Sequence, residues 1–175
     1  MRVLHAVPRH ARTLFVLTAL ACAVAIPASA NANSATTLHF FNVGTSSTLY
    51  NASGRPVGPD DFPVAGDRLV SEGVLYVGNH DAHSALPVGA SRLVCTFKSA
   101  DSALCTGKLN INKVAPDDQG VLFGKDVIVG FNSTGTTVVM LNGGTGRFAG
   151  VKSGSVTALA INDTGTSDFT VVYFT

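Results

Sequence analysis

The chain has 175 residues, about the length of one domain, and only 13% of them are charged, with a formal net charge of +1. So small a charge argues against nucleic acid as a partner. The one long apolar run, near the N-terminus, is shorter than the roughly 20 residues that a membrane-spanning helix needs, so it is not predicted to span a bilayer.

The first 30 residues have the pattern of a cleavable signal peptide. A basic segment with three arginines precedes the apolar run Leu14–Ile26, and Ala28-Ser29-Ala30 supplies an A-x-A cleavage site. We therefore expect a signal peptide at 1–30, one mature domain at 31–175, and a secreted protein, extracellular or periplasmic, that has no membrane association after cleavage. A lipid anchor on Cys22 is the alternative, which Ala19 disfavours because a branched aliphatic residue normally stands there.

Removal of the leader leaves nine basic and eleven acidic residues, hence a net charge of −2, and two cysteines, Cys95 and Cys105. An even number of cysteines in an exported chain favours a disulfide. The two lie symmetrically about Ala100, so a hairpin turning at Ser99–Asp101 would place them opposite each other on neighbouring strands. A reactive thiol pair or a metal site is the alternative.

The pattern after the leader is that of β-strands. Apolar residues alternate with polar ones or form short runs rich in Val, Phe, Tyr and Thr between turn residues, and no segment has helical periodicity. Asn42–Gly66 is predicted to be the longest irregular stretch, because its prolines and glycines oppose regular pairing. The eight predicted strands are Thr36–Val43, Arg68–Val77, Val88–Phe97, Ala103–Lys113, Val121–Phe131, Thr136–Leu141, Gly154–Ile161 and Asp168–Phe174.

The last predicted strand, DFTVVYFT, runs to the final residue. An apolar strand at an open sheet edge would invite aggregation, and pairing it with the first strand, TTLHFFNV, would remove that edge. We therefore predict an all-β fold, an eight-stranded antiparallel closed barrel, rather than a sandwich. A barrel of this size has room inside for side chains or for one small ligand.

Asn142–Gly150, with the sequence NGGTGRFAG, contains the G-x-G-x-x-A spacing of a dinucleotide-binding loop. That loop needs a helix whose N-terminus meets the pyrophosphate, whereas the following KSGSVT is strand-like and no βαβ pattern is present. Asn-Gly after a β-run instead indicates a turn, and we expect these glycines to shape a tight bend. The sequence predicts no cofactor.

The same segment, GGTGRFAGVKSGSV, resembles the signature of the allene oxide cyclase and dirigent proteins. Two further segments occur in the order of those families: AGDRLV with the later LY at 75–76 is similar to their second strand, and PVGA with the later LVCTF is similar to their third. The resemblance covers most of the chain from Gly66 onward. It implies a calycin-type barrel with a small cavity open at one end and, for many members, trimers.

Plant members of these families cyclise a fatty-acid epoxide or steer phenoxy-radical coupling, and the resemblance carries over few of their working residues. The paired aspartates of dirigent proteins fall on Gly73 and Val74, and the nearest carboxylate, Glu72, lies on the opposite face of the strand. Lys152 stands in place of the dirigent arginine and cannot reproduce its bidentate contact. The allene oxide cyclase glutamate has no counterpart on the first strand. Glu72 and Lys152 remain the catalytic candidates, with solvated surface residues as the alternative.

A second cluster, His80-Asp81-Ala82-His83, could supply metal ligands, with His39 as the other histidine of the mature chain. Because Gly78-Asn79 precedes it in a turn-like context, we expect a solvated loop and predict no metal site.

These observations favour a barrel that binds a small hydrophobic molecule in its lumen, with a homo-oligomer, a trimer, implied by the resemblance. The alternatives are an exported cyclase or coupling-guidance enzyme, and a structural or interaction protein that uses its outer face. The candidate ligand-binding residues are Tyr76, Phe97, Phe123, Phe131 and Met140, for which ordinary core or subunit packing is an equal alternative.

Overall fold

The computed structural model describes residues 34–58, 61–112, 119–129, 135–162 and 165–175, so the predicted signal peptide lies outside the described residues. Eight strands are present, as predicted, and no helix that could cross a membrane occurs in the described ranges. The strands are β1 (Ala35–Tyr50), β2 (Arg68–Val77), β3 (Gly89–Ser99), β4 (Ser102–Ile111), β5 (Gly120–Val129), β6 (Thr136–Gly146), β7 (Ser153–Ala160) and β8 (Ser167–Phe174).

The strands form one closed antiparallel barrel in chain order, which confirms the predicted fold class. The closing contact joins the two ends of the chain, because Ala35–Asn42 of β1 pairs with Ser167–Phe174 of β8. Every strand therefore has a neighbour on both sides, and the apolar last strand has no free edge.

β1 is longer than predicted and ends at Tyr50 rather than Val43. Its register with β2 shifts between Gly44 and Ser46, so Thr45 forms a bulge. A bulge bends a strand without ending it, and pairing resumes as far as Tyr50 opposite Arg68. The irregular stretch predicted from Asn42 therefore begins only at residue 51.

β6 also continues through the predicted turn. Phe123 pairs with Gly143 and Gly124 with Leu141, so Asn142 is the extra residue of a second bulge, and the chain turns only after Gly146. Gly144 is required for packing rather than for a bend, since a Cβ at this position would lie 2.6 Å from the Cβ of Phe148. The glycine segment thus lets the buried Phe148 ring cover one end of the barrel.

Two separate apolar clusters fill the ends of the barrel. The first contains Phe40, Leu75, Phe148 and Tyr173 among its members. The second is built around the predicted disulfide between Cys95 and Cys105, which is present, fully buried and flanked by cross-strand partners in register. Because both sulfur atoms point to the inside of the barrel, this crosslink stabilises the interior as well as the hairpin.

The β2–β3 connection folds back over the outer face of the β1–β8 seam. His80 donates its backbone N–H to Oδ1 of Asp168 at 2.8 Å, and its Nδ1 lies 2.5 Å from Oδ2 of the same carboxylate. The ring of His83 stacks on Phe41 with centroids 4.8 Å apart. Since Phe41 and Asp168 are themselves paired across the seam, this connection braces the place where the barrel closes.

The brace is electrostatic as well as steric. The hydrogen bond to Asp168 raises the pKa of His80 above its ordinary value, with smaller contributions from the charges of Asp81 and Asp168, while desolvation opposes the rise. Nε2 of His80 lies 3.3 Å from Oδ1 of the exposed Asp81. The connection is therefore a loop held to the barrel wall, and within the described residues no group of three or more His, Cys, Asp or Glu could hold a metal ion.

Loss of the disulfide should destabilise the barrel measurably. Reduction, or replacement of Cys95 and Cys105 by Ala, frees a loop of sequence separation 10, and we expect the free energy of unfolding to fall by about 2–3 kcal/mol. Urea unfolding with and without a reductant measures the difference. The double Ala variant is the control, because its stability should not respond to reductant. Equal stability of the oxidised and the fully reduced wild-type protein would contradict the stabilising role.

The contact between His80 of the β2–β3 connection and Asp168 should weaken as the pH rises. A folded-state pKa above the unfolded value means that the contribution of His80 is complete below its ordinary pKa of about 6.5 and is lost as the pH rises through the folded pKa. An NMR titration should place the pKa of His80 above the ordinary value. Asp168→Asn should lower it more than the control Asp81→Asn, because the Asp168 bond is the larger cause. A larger effect of Asp81→Asn would refute this assignment.

Candidate functional site

A cavity of about 220 Å³ lies inside the barrel between the two apolar clusters. Its lining residues are Asn42, Ser71, Ser91, Arg92, Leu93, Gly107, Lys108, Leu109, Leu122, Gly124, Thr137, Val139, Leu141, Val156, Ala158, Gly165, Ser167 and Phe169. Most of them occupy alternate positions of their strands, as the two-residue period of a strand requires for a common inner face.

One side of the cavity is aliphatic. Leu109, Leu122 and Leu141 project from β4, β5 and β6, and Val156 continues this surface on β7. All four are buried members of the first apolar cluster. Glycines at the inward positions of β4 and β5 add no side chain, so open volume remains between these leucines and the disulfide cluster.

The other side of the cavity is polar but uncharged. Four neighbouring strands, β8, β1, β2 and β3, contribute in that order Ser167, Asn42, Ser71 and Ser91. Asn42 is only 6% exposed. Burying an amide without hydrogen bonds costs about 1–3 kcal/mol in mutational data. The wall strands therefore have to supply partners for it.

Two partners of Asn42 fix its amide. The hydroxyl of Ser91 donates to Oδ1 of Asn42 at 2.6 Å, and Nδ2 of Asn42 donates to the carbonyl oxygen of Gly165 at 3.2 Å. Gly73 provides the space for this pair, since a Cβ there would lie 2.4 Å from Oδ1 of Asn42 and 2.9 Å from Oγ of Ser91. The pair thus lies directly against the β2 wall.

Two lining residues have ionisable side chains, and both extend from the outer face of the barrel. Nε of Arg92 lies 3.4 Å from Oε1 of Glu72, and Nζ of Lys108 lies 5.7 Å from the ring centre of Phe123. Arg92 and Lys108 are paired across β3 and β4. The residues next to them in each strand point inward, so these two point outward. These two residues therefore border the cavity through their backbone, and their charges lie outside it.

The two catalytic candidates from the sequence lie away from the cavity. The Glu72 side chain is about half exposed, at 49%, on the outer face of β2, where it meets Arg92. Lys152 is exposed in the β6–β7 connection, and its backbone N–H donates to the carbonyl of Phe174 at 3.0 Å. The structure does not bring the two together, and neither belongs to the cavity lining.

The aromatic and methionine candidates also lie outside the lining. Tyr76 and Phe123 are on the outer face, next to His83 and Lys108 respectively, and Met140 is 49% exposed. Phe97 points inward but is buried in the disulfide cluster. Phe131 lies outside the described residues. The physical reason is strand phase, because a large side chain one position out of step with the inner face must point to solvent.

Asn42 and Ser91 were not among the sequence candidates. Asn42 lies in the phase of Leu38 and Phe40 within TTLHFFNV, so a polar residue at a core position was the available signal. Its partner Ser91 is about 50 residues away in sequence and shares no motif with it. The barrel closure brings them together, and that juxtaposition is invisible in local spacing.

No family model and no curated protein matches the chain. Solved structures do match. A pyocyanin demethylase superposes with a TM-score of 0.58 at 16% identity, over 78% of this chain and 98% of that one. Two pterocarpan synthase dirigent proteins give TM-scores of 0.55 and 0.51 at 16% and 18% identity, over 81% of this chain in each case and 86% and 92% of theirs. At these identities the likeness concerns the fold, and it confirms the resemblance predicted from the sequence: the chain has the eight-stranded barrel fold of dirigent proteins.

Proposed function

We propose that the protein is exported and binds a small, neutral, hydrophobic molecule in the lumen of its barrel. The observation that carries this proposal is the 220 Å³ cavity, whose wall is aliphatic on one side and uncharged on the other. Export is supported by the signal-peptide pattern and by the Cys95–Cys105 disulfide, since disulfides persist in oxidising compartments.

The cavity volume sets the size of the ligand. An apolar cavity of about 150 Å³ in another protein stays dry and admits benzene. A volume of 220 Å³ therefore suits a molecule of roughly ten non-hydrogen atoms, such as a bicyclic ring or a short branched chain. A long acyl chain or a large polycyclic molecule would need the wall to move.

Within the described part of the chain, the cavity lining offers no opposite charge to an ionic ligand, which favours an uncharged one. An ion in a site of low dielectric needs an opposite charge, because its desolvation otherwise costs more than binding returns. The described lining residues direct no charged group inward, since the Arg92 and Lys108 heads lie outside. A neutral molecule meets no such penalty, and burial of its apolar surface is favourable at about 25 cal/mol per Å².

Filling the cavity should abolish ligand binding without unfolding the barrel. Ala158 lines the cavity on β7, and Ala158→Leu places three more carbon atoms in the open volume, so thermal stability should be kept or raised. Ala90→Leu on the outer face of β3 is the matched control. Native mass spectrometry after incubation with a metabolite extract, and separately with 1-naphthol as a neutral probe, should show at least tenfold lower occupancy for Ala158→Leu alone.

Two results would contradict lumenal binding. One is unchanged occupancy in a folded Ala158→Leu variant, which would place the ligand elsewhere. The other is that neither the extract nor 1-naphthol yields a complex with the wild-type protein, which would favour a role for the outer face instead.

A further inference from the structure

We infer that the lumenal ligand is a hydroxyl compound, an alcohol or a phenol, whose oxygen is bound by Asn42 and Ser91. This inference rests on the proposed function and adds the chemical class of the ligand. Its basis is the hydrogen-bonding capacity that remains on the buried Asn42 and the partly buried Ser91 after their internal bonds are counted.

The internal bonds determine what each group can still do. Gly165 offers a carbonyl, which can only accept, so the Asn42 atom facing it is the amide nitrogen and Oδ1 faces Ser91. The single hydroxyl proton of Ser91 is used in its 2.6 Å bond to that oxygen. What remains is one N–H donor on Asn42, with acceptor capacity on the second lone pair of its Oδ1 and on the Ser91 oxygen.

A donor next to an acceptor is the complement of a hydroxyl group. An alcohol or phenol oxygen can accept from the second N–H of Asn42 while its proton is donated to Ser91. A ketone or an ether can only accept and leaves the remaining lone pairs of Ser91 and Asn42 unused, and a hydrocarbon leaves the second N–H of Asn42 unused as well. Each additional hydrogen bond between the ligand and the pair raises the affinity, so the pair discriminates between these classes.

The surroundings give the pair a fixed position. Ser91 is paired with Gly73 across β2 and β3, and the missing side chain of Gly73 leaves the amide and hydroxyl lying on the wall. Both residues border the same cavity as the aliphatic side formed by Leu109, Leu122 and Leu141. A ligand with a hydroxyl at one end and an apolar body at the other can therefore satisfy both sides at once.

The first test changes only the ligand. Dissociation constants of the wild-type protein for 1-naphthol, 1-methoxynaphthalene and naphthalene can be measured by calorimetry or fluorescence. We expect 1-methoxynaphthalene to bind about five- to tenfold more weakly than 1-naphthol, because the ether keeps the acceptor but loses the donor. Equal or tighter binding of the ether would overturn the inference.

The second test changes the protein. Ser91→Ala should weaken 1-naphthol about five- to tenfold and leave naphthalene within about twofold. Ser71→Ala is the matched control, since Ser71 lines the same cavity but the bond to Asn42 comes from Ser91. It should preserve the ratio of the affinity for 1-naphthol to the affinity for naphthalene. Gly73→Ala, whose Cβ would displace the pair, should lower the ratio as Ser91→Ala does.

The outcomes separate the two proposals. If 1-naphthol and naphthalene both bind and Ser91→Ala does not change the ratio of their affinities, lumenal binding stands and hydroxyl recognition is wrong. A change of the ratio in Ser71→Ala as large as in Ser91→Ala has the same meaning. If neither 1-naphthol nor naphthalene binds the wild-type protein, this inference is wrong, and if the metabolite extract yields no complex either, the proposed function fails with it.

Discussion

The pairing of the first strand with the last is the constraint on which the rest of the structure depends. Eight register partners join Ala35–Asn42 to Ser167–Phe174 and turn the sheet into a barrel. Once the sheet is closed, every strand has one face directed at a common lumen and one at solvent, and the two-residue period assigns each side chain to a face. The β2–β3 connection adds contacts across this seam through His80 and His83.

Side-chain size along the inner face decides whether the lumen is filled or open. Large residues occupy the ends, with Phe40, Phe148 and Tyr173 in one cluster and Phe97 beside the disulfide in the other. Small residues occupy inward positions between these clusters, among them Gly73, Ser91, Gly107 and Gly124. A barrel of eight strands is only just wide enough to hold side chains, so this taper is sufficient to leave a cavity.

The sequence predicts the strands, their closure and the disulfide because each has a local signal: alternation, an apolar terminal strand, and symmetric spacing about Ala100. It does not predict the bulges at Thr45 and Asn142, which shift register without any breaking residue. The residues of the candidate site are not predicted for the same reason. Aromatic size suggested Phe123 and Tyr76, but strand phase places both outside, whereas the Asn42–Ser91 contact depends on strands that meet only in the folded barrel.

The position of Gly73 links the fold to its chemistry. The resemblance to dirigent proteins places one of their paired aspartates at this position. Here even a Cβ would lie 2.4 Å from Oδ1 of Asn42, so a carboxylate could enter only if the Asn42–Ser91 pair were displaced. An acid at residue 73 and the neutral amide–hydroxyl pair are therefore mutually exclusive occupants of one volume. With the pair in place, the wall at residue 73 presents a neutral amide and hydroxyl to the cavity instead of a carboxylate.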